Sequence, residues 1–333
     1  MKLLPISYFN LYRGPLLLLV LIAGLPLCAR GSYSYLLPLI QLCGIYAIIV
    51  TGLTLLIGFT GQVSLGHAGF YGLGAYAAGV AATAFHAPIW AAALAALAAG
   101  GLLAFLSGVV ILRLQGHYLA LATLCLGVII AEVITKLPIT GGEAGLYDLP
   151  HLTVGNLPPD NPLVKVYLIW TVTLLVVLWA VHLTESPVGR ALKAIHGDED
   201  AALSLGIDVF AVKLKIFIAS GILAALAGVL YAFVYTPSYL GPEEFSLMFS
   251  VTLLTMVVVG GMGNVWGGLT GAVVLIGLRE VITTLGEHLH ITDTAKYEQL
   301  VFGSMLVLVL IFARGGLAPG LRSGLDRLAR VRR

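Results

Sequence analysis

Long apolar runs separated by short polar breaks dominate this sequence. Lipid offers no partner to a bare peptide group, so a run of roughly 20 apolar residues crosses a bilayer as a helix. Ten runs are read as membrane helices: 15–29, 36–57, 64–84, 88–112, 117–135, 164–183, 213–235, 247–262, 266–285 and 299–313. Little of the 333 residues is left for a soluble domain. Only 10% of residues are charged, against about 25% in an ordinary soluble domain. That excludes a cytosolic enzyme and a disordered chain. The net charge of +2 excludes a basic face for nucleic acid. The expected fold is an all-α, polytopic membrane helix bundle of about ten transmembrane helices, forming one domain over 1–316 and followed by a basic tail, 317–333.

Lys2 and Arg13 precede the apolar stretch Leu16 to Leu27, as in a signal peptide. Leu25-Pro26-Leu27-Cys28 has the outline of a lipoprotein cleavage box, but Leu27 stands where a small residue is needed. The stretch is read as the first membrane helix. Cys28, Cys43 and Cys125 all lie in apolar runs and are read as buried small hydrophobes. Gly74, Ala78 and Ala82 form a small-residue stripe, with Ala75 and Gly79 beside it, which suits close helix packing in lipid.

Charge gives the orientation. With both termini cytoplasmic, thirteen of the eighteen Lys and Arg fall on the inner side, four on the outer side, and Arg279 lies within a span. The opposite sense would violate the positive-inside rule. The outer loop 136–163 is broken by Gly141-Gly142 and Pro158-Pro159. The cytoplasmic loop 184–212 reads differently. Ser186-Pro187 is an N-cap followed by Pro at the first helical position. Ala191 and Ile195 share a face. Asp198, Glu199 and Asp200 read as the acidic first turn of a second short helix. Ala201 and Leu205 share its apolar face, and Gly206 closes it. The loop is thus a helix pair with an apolar face and no membrane to bury it in. In the tail, Leu321, Leu325 and Leu328 have helical spacing; it reads either as an amphipathic helix on the inner leaflet or as a disordered basic tail.

No enzyme constellation is present: no Gly-Lys dipeptide of a phosphate loop, no H-E-x-x-H, and no nucleophile elbow in a strand-turn-helix setting. The histidines are scattered, so no metal or cofactor is expected. Gly58-Phe59-Thr60-Gly61-Gln62-Val63-Ser64-Leu65-Gly66-His67-Ala68-Gly69-Phe70 interrupts two apolar runs. Irregular backbone at membrane depth is tolerated only against protein or water. The segment is either a lining of a translocation path, with Gln62, Ser64 and His67 offering hydrogen bonds, or a tight cytoplasmic turn. Offset by 202 residues, Gly58, Gly61, Gly66 and Gly69 correspond to Gly260, Gly263, Gly268 and Gly271, and Gln62-Val63 corresponds to Asn264-Val265. Such echoes mark internal repeats in transporters. Glu132 and Lys136 are spaced for an i,i+4 pair. Arg279 lies six residues, about 9 Å, inside the outer end of its run. It is either functional or a snorkelling side chain.

The stretch from Gly52 to Ala77 resembles the signature of LivM-type permeases, one of the two membrane subunits of branched-chain amino-acid ABC importers. The resemblance continues through Gly141-Gly142, Ser186 to Ile195, Asp198-Glu199, Ala201-Ala202 and Gly206-Ile207. It resumes at Ala224 to Ala232 and Val258 to Gly263. It covers about 36 to 312. It implies a bacterial inner-membrane subunit that works with a second related permease chain, two cytoplasmic ATPase subunits and a periplasmic substrate-binding protein. The same resemblance gives ATPase coupling to Gly189, Arg190, Ala191, Ile195, Asp198, Glu199, Ala201, Ala202 and Gly206. The path is expected at Gly61, Gln62, Ser64, His67, Gly263 and Asn264. Relatives also carry urea or short amides, and an ion-driven secondary transporter is the rival from outside the family. Two departures stand out. His196-Gly197 occupies positions where relatives carry a charged or polar residue before the acidic pair, and Gly268 stands where relatives often have Pro.

Overall fold

A computed structural model of the chain describes residues 36–150, 161–236, 238–288 and 294–312, with Gly24 and Leu152 besides. The expected first helix and the basic tail lie outside the described residues. Eleven α-helices are described: α1 Leu36–Thr60, α2 His67–Thr83, α3 Ile89–Ile111, α4 His117–Lys136, α5 Pro162–Glu185, α6 Pro187–Gly197, α7 Glu199–Ser204, α8 Val209–Leu230, α9 Leu247–Gly260, α10 Val265–His288 and α11 Thr294–Phe312. A π-turn, Tyr231–Tyr235, prolongs α8. The only strands among the described residues, β1 Leu146–Tyr147 and β2 Tyr239–Leu240, pair antiparallel.

The fold is all-α. Six helices among the described residues are long and apolar enough to cross a membrane: α1, α3, α4, α5, α8 with its π-turn, and α10. α2 has 17 residues and α9 has 14, or about 25 Å and 21 Å at 1.5 Å per residue. Both were expected as ordinary spans, of 64–84 and 247–262; α2 starts three residues later because the chain before it is not helical, and α9 keeps nearly its expected length, stopping at Gly260 before the turn at Gly261.

α1 runs through the centre and packs on α5, α8, α9 and α10, almost wholly enclosed. α2, α3 and α8 form a three-helix layer at its side. Small residues set that layer. α3 buries Ala92, Ala96, Gly100, Ala104 and Gly108, one residue per turn, and exposes Leu94, Leu102, Phe105 and Val110 on its other faces. A Cβ on Gly100 would lie 2.6 Å from that of Ala225, and one on Gly221 2.8 Å from that of Ala104. Backbones that close gain dispersion contact where lipid supplies no hydrophobic drive. The predicted stripe on α2 is also internal: Gly74, Ala75, Ala78, Gly79 and Ala82 are all buried. Cys43 is half-buried, but Cys125 is exposed on α4, against expectation. Seven residues separate Lys136 from Glu143, its ion-pair partner at 3.1 Å; the spacing had pointed instead to Glu132.

The end of the bundle that carries α6 and α7 is termed the lower end. α1, α3, α5 and α9 finish there, and α4, α8 and α10 start there. The β1–β2 pair caps the upper end. The glycine echo is not matched in packing. α9 and α10 form a close hairpin, with Gly260 against the Gly267 backbone and Gly271 against the Met256 backbone. α1 and α2 hardly touch, and Gly66 and Gly69 pack instead on α4.

Candidate coupling and translocation sites

Gly61 ends α1 in the left-handed region, at φ +70°, where a side chain would be strained. Its N–H donates to Ile57 O at 3.2 Å, a left-handed helix cap. The chain then turns back into the bundle. Leu65 N donates to Thr123 Oγ1 (3.1 Å), six residues along α4 and so about 9 Å above the lower end. Ala68 N donates to Ser250 Oγ (3.2 Å) on α9. His67 Nε2 meets Ser220 Oγ at 2.6 Å, and His67 Nδ1 meets Ser64 Oγ at 3.0 Å. Ser220 is eleven residues along α8, about 16 Å above the lower end. Ser250 is ten residues before the end of α9, about 15 Å above it. The two estimates agree. α2 therefore begins near mid-depth, and six non-helical residues, able to span at most about 20 Å, climb to it.

Thr123 of α4 takes up one N–H of the climbing segment, and hydroxyls of α8 and α9 hold the first two residues of α2, partners of the kind irregular backbone at this depth requires. Ser64 and His67 are buried and already paired. Gln62 is buried too, yet neither its Nε2 nor its Oε1 has a partner. It sits in a crevice with Ser64, Leu112, Leu119, Thr123 and Phe217. Gly61 is exposed at the lower end. Gly263 is exposed and Asn264 half-buried in the turn between α9 and α10. Asn264 Oδ1 accepts from Trp266 N (3.1 Å), a cap for α10. This turn abuts α1, because the Met262 backbone fills the space beside Gly58. The six expected path residues thus fall into two groups, Gln62, Ser64 and His67 inside and Gly61, Gly263 and Asn264 at the lower rim. Ser220, Ser250 and Thr123 were missed; their one signal was a hydroxyl in the middle of an apolar run.

α6 and α7 form the expected pair. Ser186 Oγ accepts from Val188 N (3.1 Å) and Gly189 N (3.4 Å). Asp198 Oδ1 accepts from Asp200 N (2.9 Å) and Ala201 N (3.1 Å). Gly206 follows α7 at φ +80°. The apolar residues divide between two faces. Gly189, Leu192, Ile195 and Ala202 face inward; Ile195 and Ala202 form a cluster with Val209. Arg190, Asp198, Ala201 and Gly206 are exposed; Ala191 and Glu199 are half-buried. Leu203 and Leu205 are also exposed, at 55% and 77%. Glu199 pairs with Lys213 near the start of α8. The His196 ring lies against Gly61, so the joint between the short helices touches the end of α1. Gly197 has open space around it, and Gly268 sits tightly against Val50 and Thr54.

The family described as "Branched-chain amino acid transport system / permease component" matches residues 35–310. The chain belongs to this family. The permease is 31% identical to the high-affinity branched-chain amino acid transport system permease protein LivM of Escherichia coli K12, covering 91% of this chain and 73% of that one. It is 30% identical to LivM of Salmonella typhimurium over the same shares. It is 28% identical to the ribose import permease protein RbsC of Haemophilus influenzae, covering 90% and 92% of the two chains. No solved structure matches it. The permease is a membrane transport subunit, one component of a larger import system.

Proposed function

We propose that the chain is the LivM-type permease of an ATP-driven importer for branched-chain amino acids in the bacterial inner membrane. A periplasmic binding protein delivers substrate at the upper end, a second related permease completes the pathway, and two ATPases dock below. About ten spans, with both termini cytoplasmic, complete the chain. The observation that carries this reading is the α6–α7 pair. Its inner face is keyed to the bundle, while Ala201, Leu203 and Leu205 stand exposed outside any membrane helix. An ATPase groove would bury them. Of the coupling residues, Arg190, Ala191, Asp198, Glu199, Ala201 and Gly206 then meet the partner. Gly189, Ile195 and Ala202 hold the pair in place. Gln62, Ser64 and His67 line the inner path, and Gly61, Gly263 and Asn264 form its lower rim. The chain itself performs no chemistry; ATP binding and hydrolysis on the partners switch the permeases between two states.

A sugar permease is the second reading, favoured by the match to the ribose permease over nearly its whole length. Affinity purification in mild detergent, with mass spectrometry of the partners, tests the machinery. Two ATPases and a related permease are expected. A chain that purifies alone and transports in liposomes without ATP overturns the reading. Uptake of labelled leucine against labelled ribose by the reconstituted complex separates the two substrates.

A further inference from the structure

Gln62 departs from the rule that buried polar atoms find partners. It is 3% exposed, and neither Nε2 nor Oε1 of its side chain is hydrogen-bonded. Its backbone is pinned, because Gln62 N donates to Leu56 O (3.2 Å) on α1. The side chain therefore lies in the crevice where α1, α3, α4 and α8 converge, among Leu56, Leu112, Leu119 and Phe217. That crevice leaves no room for a water beside the amide. A leucine would occupy the same place without stranding a donor and an acceptor.

The chain on either side of Gln62 is held by two different parts of the molecule. On one side is Gly61, the cap of α1. The His196 ring lies against it, with Nδ1 3.4 Å from where a Cβ on Gly61 would stand. His196 is in the last turn of α6, at the joint of the α6–α7 pair, and Gly197 after it has open space around it. On the other side, Leu65 N is anchored to Thr123 Oγ1 on α4 (3.1 Å). Gln62, Val63 and Ser64 are thus a three-residue span between a cap that the α6–α7 joint touches and a fixed point on α4. Val63, in its middle, is already 39% exposed. A stranded amide raises the energy of the conformation that confines it, so a conformation that hydrates it is favoured by comparison.

We propose that Gln62 is the latch of the inner gate. In the conformation described, its amide is shut in the crevice. Movement of the α6–α7 joint, carried by His196 to Gly61, swings the Gln62–Ser64 span outward, and the amide then meets the water of the opened path. The unbonded amide keeps the shut form from becoming too stable to leave. This rests on the reading of α6–α7 as the ATPase-docking pair.

The test uses the complete importer. In the first arm, Gln62→Cys is placed in a background with the native cysteines replaced by serine, and the complex is held in nanodiscs. A charged thiol reagent is applied without nucleotide, and again with ATP and vanadate. The two labelling rates differ at least tenfold if the span swings; equal rates overturn the latch. Adding His196→Ala brings the two rates within twofold of each other; a tenfold difference that persists overturns the link through His196. In the second arm, Gln62→Leu favours the shut form and lowers leucine uptake in proteoliposomes at least about fivefold, with the ATPases still co-purifying. Uptake within twofold of wild type overturns the proposal. The first arm decides alone if Gln62→Leu fails to assemble. Failure of the docking reading looks different: Ala201→Asp then transports normally, whatever Gln62 does.

Discussion

His67 shows what single residues do here. An imidazole in the bundle interior is costly unless both nitrogens are engaged, and Ser64 and Ser220 engage them. Ser220→Ala leaves one nitrogen stranded. It is expected to destabilise the purified complex by about 1–3 kcal/mol, read as a lower thermal midpoint in detergent. Gln62 is the opposite case, a buried amide with nothing to bond in this conformation. Gln62→Leu removes a desolvation penalty and is expected to raise the midpoint while lowering uptake. A variant that is both more stable and fully active would remove Gln62 from the path. The polar character of this stretch was legible in the sequence. Its depth was not, because its partners lie 58 to 182 residues away. The Lys136 pair was misread for a related reason. Helical spacing suggested Glu132, but the chain turns after α4 and brings Glu143 within reach.

Among the elements, α3 and the α6–α7 pair mark the two extremes of legibility. The four-residue repeat of Ala and Gly along α3 was fully present in the sequence, yet only the stripe on α2 was read. Gly100→Leu is expected to force α3 off α8 and cut the yield of folded permease several-fold. Leu102→Ala, on an outward face of the same helix, should leave yield within experimental error. The caps at Ser186 and Gly206 were legible because each works within three residues of itself; Asp198, read as part of the acidic first turn, is instead the N-cap of α7. The division of the pair into an inner and an outer face was not. It depends on Val209, on the next helix, completing the cluster under Ile195 and Ala202. The outer face gives the sharpest test. Ala201→Asp would bury an unpaired carboxylate against a partner, at a cost of several kcal/mol. Uptake should fall at least tenfold at normal expression, with loss of ATPase co-purification. Normal uptake would sink the docking assignment.

Seen whole, the molecule has two ends that chemistry can distinguish. Cysteines at Leu205 and Tyr147, both exposed, should be labelled by impermeant reagents from opposite sides, Leu205 from the cytoplasm and Tyr147 from the periplasm. Labelling of both from one side would refute the assigned topology. The enclosure of α1 also bears on how the chain is made. α1 emerges early from the ribosome, while the helices that surround it, α5, α8, α9 and α10, follow only after residues 162, 209, 247 and 265. Until then it has lipid for company. Thr51, Thr54 and Thr60 each bond a carbonyl four residues back on the same helix (2.7, 2.7 and 2.6 Å), so these hydroxyls need no neighbour. The helix that ends most deeply buried is thus also equipped to wait in the bilayer, its threonine hydroxyls already content, while translation delivers the walls around it, with Gln41 needing the later Pro162 carbonyl of α5.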